Sequence, residues 1–265
     1  SHYEIIESVI VKYFDILNIA KTIPMEVYLN IQQNTPFKNY ITAKYPAIKF
    51  ENITNYDYYI NCTFYDSDFK WLGLTNLNKK FISHEITQRL LDHSSVCFLT
   101  PLSKKRFYDA DIMPFSENKV VSKTPIYIIQ GNLNQNRRCL SLLTKILSKT
   151  YKYDFVIKLI GRGHLPPPLK KYQNRIILKS NLNFVDYHKQ FLDAYCILPL
   201  ITKKSHPHYY TTKLTSTINY AKGYKMKCLI DRDLQNIYNL EDAEIFNDIN
   251  DITDAFEKTL ETFYK

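Results

Sequence analysis

The segment 206–223, H-P-H-Y-Y-T-T-K-L-T-S-T-I-N-Y-A-K-G, brings hydroxyl side chains and a lysine to the expected start of a helix. Its candidate binding residues are Tyr210, Thr212, Lys213, Thr215 and Ser216. The first N–H groups of a helix have no partner within the helix and lie at the positive end of its dipole, so they attract anions. Hydroxyls and a cation at the same point are typical of a diphosphate site. The alternative is an ordinary cap, in which a threonine serves the helix alone.

Two glycine-containing turns follow apolar, strand-like runs. The first, I-I-Q-G-N, ends at Gly131 and Asn132 and is followed by Arg137, and the second, K-L-I-G-R-G, places Arg162 beside Gly163. Both suit an anion, because glycine lets the backbone approach a ligand and a guanidinium offers a planar fork to phosphate oxygens. The patterns G-x-G-x-x-G and G-x-x-x-x-G-K-[ST] are absent, which argues against dehydrogenases and P-loop kinases. The alternative is that the glycines only make turns and the arginines are solvated.

A basic stretch surrounds the second turn. From residue 155 to residue 185 there are six Lys and Arg and no Asp or Glu, and they are Lys158, Arg162, Lys170, Lys171, Arg175 and Lys179. The sequence predicts an electropositive rim here, except at Lys170 and Lys171, for which a solvated loop is the preferred interpretation.

Composition excludes several classes of protein. The chain has 265 residues, with 45% hydrophobic and 23% charged, which is typical of globular proteins and argues against disorder or a fibrous repeat. No apolar run reaches the roughly 18 residues of a membrane span, and the first residues do not resemble a secretory signal. The five Cys form no C-x-x-C pair, so neither a zinc ribbon nor a disulfide framework is expected. The net charge of +9 favours anionic partners without choosing among them.

Strand-like and helix-like segments alternate along the second half of the chain. Strands are expected at 126–130, 155–160, 175–179, 195–200 and 226–230, and helices at 133–148, 185–193, 214–221 and 252–264. The first half is less regular, with strands expected at 26–31, 48–51, 58–64, 80–83 and 96–99 and helices at 3–20 and 86–91. Such alternation predicts parallel sheets covered by helices. We expect two Rossmann-like open-sheet α/β domains, 1–122 and 123–265, that face a cleft, with ligands beyond the carboxyl ends of the strands.

The second half resembles the donor-binding domain of a GT-B glycosyltransferase. The likeness rests on the Q-G-N and G-R-G turns, on N-F-V-D-Y-H-K-Q-F-L-D-A-Y-C-I-L-P-L-I and on K-L-T-S-T-I-N-Y-A-K-G-Y-K-M-K-C-L-I-D. It covers 126–265, and extends to 1–124 only as a shortened acceptor domain. The resemblance implies transfer of a sugar from a nucleoside diphosphate sugar, with UDP favoured, to a glycan hydroxyl. Lys213, Thr215 and Ser216 match the diphosphate positions, and Lys213 stands where a glutamate is usual, which leaves the sugar and the stereochemistry open.

An inverting transfer needs a base beside the attacking hydroxyl. The best candidates are His84 and Glu85 in I-S-H-E-I-T, and Asp66 and Asp68 are rivals. The alternative is a packed histidine and a first-turn helix carboxylate. We expect no essential metal and no cofactor beyond the donor substrate, because the D-x-D of Asp66 and Asp68 lies in the wrong half of the chain to hold the donor.

The chain resembles a glycosyltransferase of a large DNA virus in its compact acceptor domain and in its composition, which is rich in Asn, Ile, Lys and Tyr. We expect a cytoplasmic location, which is the host cytoplasm if the protein is viral. The oligomeric state is left open. Three alternatives remain. They are a sugar-nucleotide epimerase of the same fold, a basic nucleic-acid-binding protein and an inactive interaction module. No helix-turn-helix, RNP or zinc-finger signature supports nucleic-acid binding, so no such partner is expected.

Overall fold

The computed structural model describes residues 5–11, 35–46, 48–50, 58–64, 66–67, 78–105, 119–133 and 138–265. The chain divides into two compact units. The N-terminal unit comprises Ser1–Met113 together with Thr212–Leu214, and the C-terminal unit comprises Pro114–Thr211 and Thr215–Lys265. The predicted assignment of 1–122 to the acceptor and 123–265 to the donor remains a prediction.

The C-terminal unit is built on a six-stranded parallel sheet. Its strands are β4 (Ile126–Asn132), β5 (Val156–Arg162), β6 (Ile176–Ser180), β7 (Cys196–Ile197), β8 (Lys227–Asp231) and β9 (Ala243–Phe246). Their spatial order is β6-β5-β4-β7-β8-β9, and every paired strand is parallel to its neighbour. The chain therefore proceeds outward from β4 to one edge and then crosses to β7. Doubly wound sheets bind ligands beside the carboxyl ends of the strands at this reversal.

The helices of this unit are α4 (Leu140–Ser148), α5 (Phe184–Lys189), α6 (Ser216–Gly223), α7 (Arg232–Tyr238) and α8 (Ile252–Tyr264). Short 3-10 segments at Pro167–Arg175 and Pro207–Tyr210 complete the connections. The sequence predicted α8 with its observed bounds, and β4, β5, β6 and β8 to within two residues. It missed α7 and β9, and it expected α4 to begin at residue 133.

Successive side chains of β4 lie on opposite faces of the sheet, because the side chains of a strand alternate in direction. Tyr127 and Ile129 join the core formed with α4 and α8, where the Tyr127 ring lies 4.4 Å from the ring of Phe256. The Tyr127 hydroxyl is 2.7 Å from Thr259 Oγ1, so this buried polar group is satisfied. The side chain of Gln130 instead contacts residues of α5 and α6. Helices thus cover both faces, as the predicted parallel sheet requires.

The N-terminal unit contains a smaller parallel sheet. Its strands are β1 (Tyr58–Phe64), β2 (Asn78–Ser83) and β3 (Val96–Phe98), in that order. Its helices are α1 (residues 5–11 of the described chain), α2 (Thr35–Lys44) and α3 (Gln88–Leu91). These findings confirm the three predicted strands, whereas the strand expected at 48–51 is only a bridge at residue 49, and the one expected at 26–31 lies outside the described residues. Among the described residues, none of the helices is long and apolar enough to span a membrane.

Candidate functional site

Gln130 connects the carboxyl end of β4 to two helices. It is 3% exposed, so each of its polar atoms needs a partner. Its side-chain amide donates to Thr217 Oγ1 at 3.0 Å and to Ser216 Oγ at 3.2 Å, and its Oε1 accepts from the Tyr187 hydroxyl at 2.7 Å. The first turn of α6 is thereby held beside the reversal of strand order between β4 and β7.

The N-terminus of α6 is not closed by a side chain. Thr215 occupies the capping position with an extended backbone, but its side chain makes no capping hydrogen bond. Thr215 is buried and its N–H donates to the Tyr238 hydroxyl at 3.4 Å, whereas Ser216 is exposed. The Ile218 N–H donates to the Thr215 carbonyl at 3.2 Å, so the donors at the positive end of the dipole of this eight-residue helix are the N–H groups of Ser216 and Thr217 and the Ser216 hydroxyl.

The glycine turns after β4 and β5 lie side by side. Gly131 pairs with Gly161, and Asn132 with Arg162, in the parallel register of the two strands. A Cβ on Gly161, whose φ is +152°, would stand 1.6 Å from the carbonyl oxygen of Gly131. Glycine is required there by the close approach of two strands. Asn132, Arg162 and Gly163 are all exposed at the same edge.

Arg138 is the buried arginine of the turn after β4, whereas the predicted binding residue was its neighbour Arg137, which lies outside the described residues. Arg138 is 7% exposed, and its Nη2 donates to the main-chain carbonyl of Gln130. A Cβ on Gly131, whose φ is +110°, would come within 2.9 Å of that same Nη2. The glycine therefore makes room for a guanidinium from its own chain.

Thr212 and Lys213 belong to the N-terminal unit, where they pair with the predicted base segment. Thr212 accepts from the Ile86 N–H at 2.7 Å, and Glu85 forms an antiparallel bridge with Lys213. Lys213 Nζ lies 3.4 Å from Glu85 Oε2. The main-chain carbonyl of His84 accepts from the N–H of Leu214 at 3.2 Å.

Asp66, the rival base, lies near the same segment, because its Oδ1 accepts from the Thr87 hydroxyl at 3.1 Å. Thr87 also caps α3 by accepting from the Leu90 N–H at 3.3 Å. Asp68 lies outside the described residues. Within the part of the chain that the structure describes, no three His, Cys, Asp or Glu are grouped so as to hold a metal ion.

Tyr210 is buried and hydrogen-bonded inside the C-terminal unit. Its hydroxyl donates to Asp231 Oδ1 at 3.1 Å, and the same oxygen caps α7 by accepting from the N–H groups of Asp233 and Leu234. Burial and the charge of Asp231 raise the pKa of Tyr210 well above its usual value. Burial likewise raises the pKa of Asp231, against the lowering effect of these hydrogen bonds. Tyr210 thus sits in a structural network, 7% exposed.

Lys158 does not contribute to the electropositive rim that the sequence predicts. Lys158 is 5% exposed, and its Nζ lies 2.6 Å from Asp193 Oδ1, so its charge is neutralised inside the fold. Arg175 places its guanidinium 5.0 Å from the ring centroid of Phe155. Arg162 and Lys179 are exposed and retain the rim character that was predicted.

The central position of Gln130 was not predicted from the sequence. An amide at the end of a strand carries no motif, and its partners on α5 and α6 are 57 to 87 residues away. The available signal was a polar residue ending an otherwise apolar, doubly covered strand, where a buried amide needs several partners.

Comparisons with known proteins support the fold. No family model matches the sequence, and no protein of curated function matches it. Among solved structures, AviGT4, a glycosyltransferase involved in avilamycin A biosynthesis, matches with a TM-score of 0.51 and 10% identity over 82% of this chain and 71% of its own. A glycosyltransferase from Rickettsia africae ESF-5 matches with a TM-score of 0.44 and 13% identity over 99% of this chain and 71% of its own. The likeness to AviGT4 shows that this chain has a fold found in glycosyltransferases.

Proposed function

We propose that this protein is a glycosyltransferase of the two-domain GT-B type. It moves a sugar from a nucleoside diphosphate sugar, with UDP favoured, to a hydroxyl of a glycan, and it needs no metal ion. The observation that carries the proposal is the N-terminus of α6, left without a side-chain cap and held by Gln130 at the carboxyl end of β4. The glycosyltransferase fold of AviGT4 agrees with this activity.

The donor diphosphate binds the first turn of α6. Ser216 Oγ already accepts from Gln130, so its own proton is free to be donated to a phosphate oxygen. Negative charge grows on the diphosphate as the bond to the sugar breaks, and fixed donors at a helix N-terminus stabilise that charge. Three exposed residues and one partly buried glycine at the ends of β4 and β5 belong to the proposed donor-binding set, and they are Asn132, Arg162, Gly163 and Gly131. Thr215, Arg137 and Lys213 complete this proposed set. Lys213 supplies the positive charge that a metal would otherwise bring.

Tyr210 and Thr212 have indirect roles in this proposal. Tyr210 positions α7 through Asp231, and Thr212 holds the loop before α6 through its main-chain carbonyl. Both therefore help to place the donor-binding residues.

The acceptor hydroxyl loses its proton to Glu85 or His84 as its oxygen attacks the sugar carbon. The bond from that carbon to the diphosphate oxygen breaks in the same step, and the diphosphate leaves with both electrons. Glu85 is the stronger candidate, because its side chain is 44% exposed and can reach an acceptor hydroxyl. Its Oε2 lies 3.4 Å from Lys213 Nζ. That proximity couples the base to the proposed donor-binding lysine.

A thermal-shift screen against nucleoside diphosphates, their sugars and an oligonucleotide pool tests the proposal. A ligand that binds only the folded chain raises the melting temperature, by several degrees at concentrations far above its Kd. We expect UDP and UDP-sugars to give this shift with or without EDTA, and Ser216→Ala to reduce it. Thr253→Ala, which removes a partly buried hydroxyl from the first turn of α8, is the matched control.

Each alternative gives a different result. A shift with oligonucleotides alone, and a steep loss of it with salt, would indicate a nucleic-acid-binding protein. Conversion of the donor without any acceptor glycan would indicate a sugar-nucleotide epimerase. No response to any nucleotide would refute the transferase.

A further inference from the structure

The strand β6 (Ile176–Ser180) forms one edge of the six-stranded sheet and pairs only with β5. The register between the two strands runs from Ile176 to Ser180 without a bulge. Within the part of the chain that the structure describes, the backbone of β6 makes one further hydrogen bond, from the Ile176 N–H to the Gln173 carbonyl. An edge strand of this kind presents N–H and C=O groups that can pair with another strand.

The side chains at this edge are apolar and exposed. Ile177 is 41% exposed and Leu178 is 36% exposed, and successive residues of a strand lie on opposite faces of the sheet. Each face of the sheet therefore ends in an exposed apolar side chain. Proline, a bulge or a charge directed inward would protect such an edge from pairing, and β6 has neither proline nor a bulge. Its single charged residue, Lys179, leaves the run Ile176–Leu178 apolar.

The same edge carries positive charge without acidic partners. Lys179 of β6 is exposed, and the 3-10 segment that leads into the strand carries Lys170, Lys171 and Arg175. None of these four residues takes part in an ion pair with another described residue. No Asp or Glu occurs from residue 155 to residue 185. This charge favours an acidic partner and disfavours a second copy of the same edge, because like charges would then meet.

The opposite edge of the sheet differs in charge and in pairing. The carboxylate of Glu244 in β9 lies 3.9 Å from Lys258 Nζ, and Asp242, which precedes β9, forms an ion pair with Lys227. Acidic groups at that edge therefore have basic partners within the same unit, whereas the cations at the β6 edge do not.

We propose that the β6 edge binds an extended acidic segment of a partner protein, which joins the sheet as a further strand. The backbone of the segment pairs with the outward N–H and C=O groups of β6. Ile177 and Lys179 are two positions apart and share one face, so the segment places an apolar side chain and a carboxylate there. On the other face, apolar side chains cover Leu178. The inference is independent of sugar transfer, because none of the residues proposed for the donor or the base lies on β6.

Fluorescence polarisation with a labelled peptide, S-E-V-V-V-E-S, tests the pattern. Read in either direction, this peptide places a valine between two carboxylates on one face and two further valines on the other face. We expect saturable binding below about 1 mM peptide. Absence of binding in this range overturns the proposal.

Two control peptides separate charge from backbone pairing. S-K-V-V-V-K-S reverses the charge, and S-E-V-P-V-E-S keeps the charge but loses a central N–H group. Both should bind at least tenfold more weakly than S-E-V-V-V-E-S. Equal binding of the proline peptide would show that charge alone attracts the segment, and would overturn strand addition.

A reversal of charge on the protein tests the position of the carboxylate. Lys179→Glu should weaken binding of the acidic peptide at least fivefold and should strengthen binding of S-K-V-V-V-K-S, a gain that a misfolded variant would not show. Lys258→Glu makes the same change beside β9 and should alter both affinities less than twofold. Equal effects of the two substitutions would contradict the assignment.

A second substitution tests the apolar contact. Leu178→Thr removes an exposed apolar side chain and keeps a residue that favours strands, and it should weaken binding of the acidic peptide at least threefold. Val121→Thr, at a position that is 93% exposed and outside the sheet, is the control and should have no effect. No loss with Leu178→Thr would contradict the proposed contact.

Hydrogen exchange read by mass spectrometry locates the peptide. S-E-V-V-V-E-S should slow amide exchange in Ile176–Ser180 and leave Ala243–Phe246 unchanged. Protection elsewhere, or none, would contradict the site. Protection of β6 without peptide, together with dimerisation in sedimentation, would identify a second copy as the occupant and overturn the proposal. Protection of β6 by an oligonucleotide pool but not by the peptide would identify a nucleic acid and would also overturn it.

Discussion

Lys213 and Glu85 lie 128 positions apart in sequence and are joined twice, by an antiparallel backbone bridge and by a 3.4 Å contact between Nζ and Oε2. Their side chains are 34% and 44% exposed. Ion pairs with this exposure contribute about 0–1 kcal/mol, so stability alone gives little reason to hold these charges together. The pair instead places a cation proposed for the leaving diphosphate beside a carboxylate proposed as the base.

Substitution of either residue should affect catalysis far more than stability. Lys213→Met removes the cation, and we expect the rate of sugar transfer to fall by about 100-fold, as for other single groups that stabilise a developing anion. Glu85→Gln removes the base, and we expect kcat to fall by about 100-fold or more while donor binding is retained. Initial rates with a UDP-sugar and the melting temperature of each variant provide the measurement.

Lys203→Met is the matched control, because Lys203 is an exposed lysine 3.6 Å from an acidic partner, Asp233. It should leave the rate within twofold of the wild type. If His84→Ala abolishes transfer while Glu85→Gln does not, the histidine is the base. If neither change lowers the rate, the acceptor site lies away from this segment.

Gln130→Met tests the connection between β4 and α6. Methionine fills a similar volume without hydrogen-bonding groups, and it leaves the buried Thr217 and the Tyr187 hydroxyl without their partner. An unsatisfied buried polar group costs about 1–3 kcal/mol, so the free energy of unfolding in urea should fall by at least that amount. Tyr187→Phe removes one of these bonds and should cost less. The affinity for UDP should fall only with Gln130→Met, since only it releases the first turn of α6; equal loss in both variants would contradict this role.

Most strands and helices of the C-terminal unit were predictable because each depends on a pattern of residues that are close together in the sequence. Apolar runs that end at glycine gave β4 and β5, and the helical periodicity of 252–264 gave α8. Strand β7 pairs only at Cys196–Ile197 although the apolar run extends to residue 200, because the chain leaves the sheet and Leu200 adopts a φ of +51°. Helix α7 was missed although Asp231 gives the signal of an N-cap, since it immediately follows a strand.

The site was predictable only in part, for a different reason. Residue types at strand ends could be recognised, but which of them meet depends on contacts between distant segments. The pairing of Lys213 with Glu85 and the burial of Lys158 against Asp193 are examples, and neither has a signal in the sequence near the lysine.

Gly161→Ala should prevent folding of the C-terminal unit. The added Cβ would stand 1.6 Å from the Gly131 carbonyl oxygen, and the backbone of two paired strands would have to separate. We expect a loss of at least about 4 kcal/mol, or insoluble protein. Gly163→Ala meets only Leu133 Cβ at 3.4 Å and the strain of a φ of +122°, so a loss of about 1–3 kcal/mol is expected. Urea unfolding of both variants gives the comparison, and equal losses would contradict the packing of β4 against β5.

The carboxyl groups of Asp231 and Asp251 should change the free energy of unfolding with pH in opposite directions. Burial raises the pKa of Asp231 above its unfolded value of 3.8, against the lowering effect of its hydrogen bonds with Tyr210 and Leu234. Asp251 has a lowered pKa because hydrogen bonds from Asn247 and Asp248 outweigh the cost of its burial. Asp231 therefore stabilises the folded state below pH 3.8, and this stabilisation is lost as pH rises through its folded pKa. Asp251 stabilises the folded state above pH 3.8, and this stabilisation is lost as pH falls through its folded pKa.

Asparagine at either position removes the titration and keeps an oxygen that can accept hydrogen bonds. As pH rises from 3.8 through the folded pKa of Asp231, Asp231→Asn should become more stable relative to the wild type, because in this range the unfolded wild type has released its proton while the folded wild type still holds it; above that pKa the difference should be constant. Asp251→Asn should be less stable than the wild type by a nearly constant amount over the same range. Urea unfolding at several pH values measures both differences. A flat difference for Asp231→Asn would mean that its carboxyl titrates alike in both states, and that the contact with Tyr210 and the cap of α7 offset the whole cost of its burial.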